Sequence, residues 1–142
     1  MAILLANLSV RIYKHGASFV SQGEIESALN LEGLDKVARI YYANSPYQST
    51  SIEFLNLDLK SFSSEAEPSE SFFEHISKAQ QNLTDWLKKQ SLKSLAKFQE
   101  NNEIDVFIDL WIDQDQMEWE FSTALLLACG NLNLDIKIIS ND

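Results

Sequence analysis

The chain has 142 residues, 11 Lys+Arg against 21 Asp+Glu and a formal net charge of −10: one domain's length of chain, with an acidic excess. That excess argues against non-specific nucleic-acid binding, which needs a basic face to displace counterions. A hydrophobic share of 45% with 23% charged residues excludes a disordered acidic tail and a membrane protein, and a chain this long buries roughly 70% of its unfolded surface without disulfides or metals.

The N-terminal run from Met1 to Ala6 is apolar, but it has no basic region before it, and Asn7, Ser9 and Arg11 interrupt it. It therefore predicts a strand rather than a signal peptide or a transmembrane span, and a cytoplasmic protein. Ala6, Leu8, Val10 and Ile12 alternate with Asn7, Ser9, Arg11 and Tyr13, the period of a strand with one buried face. Ser21 and Glu24 have capping-box spacing, so a short helix should follow with Ile25, Ala28 and Leu29 inward and a stop near Gly33. Residues 37–42 are β-branched and aromatic. The turn Asn44-Ser-Pro46 leads into a further strand over 49–59, and together they predict a hairpin.

Residues 61–71 are a polar connection. Ser71 and Glu74 form a second capping box ahead of Phe72, Ile76, Ala79, Leu83 and Trp86, whose spacing predicts a long amphipathic helix with Lys78, Gln81, Lys88 and Lys89 outward. Ser91 breaks the pattern, and Leu92, Leu95 and Phe98 continue it up to Asn101-Asn102. The clearest strand follows: Ile104, Val106, Ile108, Leu110 and Ile112 against Asp105, Phe107, Asp109, Trp111 and Asp113. A helix over 122–129, ended by Gly130, then leads to a last strand in which Leu134, Ile136 and Ile138 alternate with Asp135 and Lys137.

The order β-α-β-β-α(α)-β-α-β predicts an α/β or α+β two-layer sandwich, a mixed sheet of about five strands with helices on one face. It reads as a single domain over 1–142, in which 8–42 and 104–139 share a strand-helix-strand layout. The stretch Phe73-Glu-His-Ile76, the alternating strand at 104–112 and the ending from Phe121 to Ile139 resemble a bacterial family of uncharacterised small α/β domains. In size, acidity and lack of motifs the chain is also similar to cytoplasmic immunity proteins that neutralise bacterial toxins. That likeness is one of composition, and it implies an inhibitor of a protein partner.

Charge placement supplies the candidate site. From 98 to 136 there is no Lys or Arg, while Glu100, Glu103, Asp105, Asp109, Asp113, Asp115, Glu118, Glu120 and Asp135 all lie there. Asp105, Asp109 and Asp113 share a strand face with Phe107 and Trp111, and Asp115, Met117, Glu118, Trp119 and Glu120 follow in a loop. Acids interleaved with aromatics suit capture of a basic protein, because interfaces favour tryptophan and methionine and a negative field speeds encounter. The expected partner is a basic protein, a nuclease toxin among the candidates, met through Asp105, Asp109, Trp111, Asp113, Asp115, Glu118, Trp119 and Glu120. The plainer expectation is a solvated acidic face whose aromatics lie under a helix.

Other chemistry is thinly represented, and no cofactor is expected. Asp113-Gln-Asp115 with Glu118 and Glu120 could offer oxygen ligands to Ca²⁺ or Mg²⁺, but the loop lacks the EF-hand glycine and closing glutamate. Neither His15 nor His75 has a partner at ligand spacing, and Cys129 within Leu-Leu-Leu-Ala-Cys reads as core. The alternatives are a ligand-binding domain or enzyme with a pocket between sheet and helices, and a homodimer formed through an exposed strand edge.

Overall fold

A computed structural model of the chain describes residues 2–16, 18–58, 70–114 and 119–141. The elements run β1 (Ala2–Tyr13), α1 (Gln22–Ala28), β2 (Arg39–Tyr41), β3 (Thr50–Asp58), α2 (Glu70–Lys88), α3 (Leu92–Phe98), β4 (Glu103–Gln114), α4 (Thr123–Asn131) and β5 (Asp135–Asn141), with a 3-10 turn at Leu34–Lys36. The strands form one mixed sheet in the order β2-β3-β1-β4-β5, the α/β architecture that the pattern predicts. β1 lies at its centre, antiparallel to both β3 and β4, while β5 runs parallel to β4. β2 and β3 form the expected antiparallel hairpin. The two strand-helix-strand segments differ in adjacency: β4 and β5 are neighbours, whereas β3 lies between β1 and β2.

Alternation places one face of the sheet against the helices. Ala6, Leu8, Val10 and Ile12 of β1 and Val106 and Ile108 of β4 are fully buried, in one apolar cluster with Ile25 of α1, Leu83 and Trp86 of α2, Leu95 of α3 and Leu125 of α4. In β3 the buried positions change phase, from Ile52 and Phe54 to Leu55 and Leu57. The register explains this: Leu8 pairs with Leu55 and Ser9 with Glu53, which leaves Phe54 as the extra residue of a bulge. One inserted residue thereby turns both apolar sets toward the core, and Phe54 meets Trp86 with ring centroids 5.9 Å apart.

Helix ends show where local signals hold and where tertiary contacts replace them. Ser21, Ser91 and Ser122 each accept a hydrogen bond from the backbone N–H three residues on, capping α1, α3 and α4. The Glu24 carboxylate takes the Ser21 hydroxyl (3.5 Å) and the Lys14 ammonium (3.4 Å). Ser71 is already helical, so α2 starts before the predicted box. α1 ends at Ala28, not near Gly33, because the next residues are held by α2 and the turn after it: Trp86 Nε1 donates to the Asn30 carbonyl at 2.8 Å, and Gln90 both donates to that carbonyl (3.0 Å) and accepts from the Asn30 N–H (2.8 Å). Gly33, at φ 75°, opens the 3-10 turn instead. α4 passes through Gly130 and stops two residues later than predicted, and Asn133 at φ 55° makes the left-handed turn into β5. Among the described residues, no helix is long and apolar enough to cross a membrane.

Candidate functional site

From Leu5 to Tyr13 of β1 and from Glu103 to Trp111 of β4, the odd-numbered side chains form the sheet face opposite the helices. Register aligns Arg11 with Asp105, Ser9 with Phe107, Asn7 with Asp109 and Leu5 with Trp111, and on the far side of β4 it aligns Asp105 with Asp135, Phe107 with Lys137 and Asp109 with Ile139. Every helix described packs on the other face, so Trp111, 44% exposed, stands on open sheet rather than under a helix.

The same register brings cations into the acid-rich strand. Asp105 is 2% exposed, and its carboxylate accepts two hydrogen bonds from the Arg11 guanidinium, Nε to Oδ1 at 3.0 Å and Nη2 to Oδ2 at 2.9 Å. Lys137 Nζ lies 3.1 Å from Oδ2, and the Tyr13 hydroxyl donates to the same oxygen at 3.2 Å. The Arg11 guanidinium also stacks 4.0 Å from the Phe107 ring centroid, a cation-π contact that covers the ring. The hydrogen bonds that Arg11 donates to Asp105 outweigh the cost of burial and raise the Arg11 pKa, and the Tyr13 hydroxyl followed by Asp105 raises that of Lys137. Asp105 is thus a neutralised anchor joining β1, β4 and β5. Asp109 and Trp111 lie farther along the same face of β4.

The remaining candidates are dispersed. Asp113 lies in β4, while Asp115 and Glu118 fall outside the described residues, as does most of the acidic loop considered for a cation. Trp119 packs against the helix-side core and lines a cleft of about 330 Å³ with Phe73, Ile76 and Gln80, away from Trp111. Its Nε1 is buried and has no hydrogen-bond partner among the described residues. The Glu120 side chain is exposed at that cleft, and its carbonyl accepts from Gln80 Nε2 at 2.9 Å. Gln80 Oε1 accepts from the Ser122 N–H at 3.0 Å, so one buried glutamine fixes the approach to α4. Sequence reasoning missed Arg11, Tyr13 and Lys137. A single arginine in the polar register of β1 was the one available signal, and only strand pairing gives it a partner.

A groove of about 1070 Å³ opens between the end of β1, α1 and α3, and is lined by Lys14, His15, Ser21, Glu24, Ser94, Lys97 and Asn102 among others. Among the described residues, no three His, Cys, Asp or Glu side chains converge as a metal site. Cys129 is buried, and desolvation pushes its thiol up to about 11, which removes it as a nucleophile near neutral pH. No protein-family model, curated protein or solved structure matches the chain.

Proposed function

We propose that this chain is a protein-binding domain that captures a basic protein on the open face of its sheet, acting as an immunity protein that occludes a bacterial toxin. The observation that carries the reading is the half-exposed Trp111 beside Asp109 on a sheet face that no described helix covers. A large amphipathic ring supplies contact area at low entropic cost, and the carboxylate of Asp109 beside it favours cationic surfaces. The Asp105 cluster, in which Arg11 and Lys137 meet one carboxylate, fixes the strands beside that site and adds no negative charge to it.

The test uses the product of the reading frame adjacent to this chain's gene. A basic toxin domain encoded there should bind the wild-type chain, and the variant Trp111→Ala/Asp109→Lys should bind at least 100-fold more weakly while staying folded, the scale of one interface hot spot and one reversed charge. Unchanged affinity in that variant would overturn the proposal.

A second reading, small-ligand binding, draws support from the groove in which Lys97 and several hydroxyls gather beside the Lys14–Glu24 pair. It predicts that an anionic metabolite shifts backbone resonances at Ser21 and Ser94 without moving those of β4.

A further inference from the structure

The two edges of the sheet are unlike. β2 is three residues long and presents Arg39 and Tyr41, a short and charged edge that pairs poorly. β5 runs for seven residues without proline, and among the described strands it pairs with β4 alone. Its outer side therefore offers a continuous row of backbone donors and acceptors. Apolar surface flanks that row on both faces of the sheet: Ile138 is 51% and Ile139 is 46% exposed. Leu126 and Leu127 of the preceding helix are exposed as well.

We propose that the chain forms a two-fold dimer in which β5 pairs antiparallel with β5 of a second copy. An occupant of this edge must present backbone groups in line and side chains to both faces, which only an extended strand does. β5 fits that description itself, and it is locally neutral: Asp135 and Lys137 are its charged residues, so the chain's acidic surplus does not sit where the copies meet.

Two-fold symmetry limits the register. An axis through Ile138 sets Ile138 against its own twin, Lys137 against Ile139, Ile136 against Ser140 and Asp135 against Asn141, so all seven residues pair strand against strand over about 23 Å. No like charges then lie directly opposite. An axis through Ile136 would set Ile139 against Asn133, whose left-handed backbone ends the strand, and the ladder would shorten. The first register also covers the two isoleucines now exposed. It joins two five-stranded sheets into one of ten, whose remaining edges are the short β2 strands.

Sedimentation equilibrium of the full chain over a range reaching on the order of 100 µM, where weak interfaces of this kind populate, should show a monomer-dimer equilibrium. Ile138→Lys should raise the dissociation constant at least tenfold, with circular dichroism unchanged because the residue lies on the surface. A single-site variant Ile138→Cys should form a disulfide-linked dimer on oxidation, since directly opposed residues bring Cα atoms within bridging range, while Cys129 stays buried. Ile40→Cys on β2 should not. A chain that stays monomeric across the range, or a dimer indifferent to Ile138→Lys, overturns the proposal. A dimer that cross-links through Ile40→Cys and not Ile138→Cys overturns it too. The inference rests on β5 alone, and its failure would leave the Trp111 surface untouched.

Discussion

Asp105 shows how one residue's role depends on its neighbours in space. A carboxylate 2% exposed is costly to bury alone, and here it is met by Arg11, Lys137 and Tyr13. Replacing it with asparagine keeps the volume and removes the charge, leaving the stacked guanidinium without its counterion. We expect Asp105→Asn to lose about 3 kcal/mol in urea unfolding, the scale of breaking a buried pair from one side. A loss below about 0.5 kcal/mol would show the cluster to behave as a surface ion pair. The residue was visible in the sequence as one acid among nine. Its partners were not, because Arg11 lies 94 positions away and meets it only through the β1-β4 register.

At the scale of elements, apolar periodicity foretold most of the chain, and the exceptions have physical causes. β4 alternates without a break and folds as read. β3 changes phase, and its bulge at Phe54 could be located only once its partner's register was known. The early end of α1 is decided by Gln90 and Trp86, which hold the backbone of Asn30 across 60 and 56 residues of chain. Gln90 is 9% exposed and serves as donor and acceptor at once. Gln90→Leu fills the space but leaves the Asn30 N–H unmet, so we expect a cost of about 1–3 kcal/mol, with faster amide exchange at Asn30. Exchange at Asn30 as slow as in the wild type would show that the clasp does not hold the loop. Ser21, by contrast, was legible as a cap from sequence alone, since capping is a contact between neighbours.

For the whole molecule, the surplus of negative charge remains the most telling global property, but strand pairing alters its distribution. Lys and Arg are absent from 98–136, yet Arg11 from β1 and Lys137 from β5 flank β4 and cancel Asp105. The acids of 98–136 therefore do not act as one uncompensated patch. Two associations proposed for the chain therefore differ in their response to salt. Capture of a basic partner should weaken as ionic strength rises from about 0.05 to 0.5 M, because screening shortens the reach of the field. Self-pairing through β5 should hold or strengthen, because screening relieves repulsion between two acidic copies. Titrations of each complex at three salt concentrations check this. A partner affinity independent of salt would remove the electrostatic account.

By itself the sequence determined the number, kind and order of the elements, the helix-facing residues of β1 and β4 and the Ser21 cap, because these depend on periodicity and on contacts a few residues long. Tertiary structure alone decided the strand order, the bulge, the separation of Trp119 from Trp111 and the neutralisation of Asp105. Each of these depends on which distant segments lie side by side. Pairing across a sheet is set by the combined packing of all five strands against one helical layer, and no local stretch of chain records it.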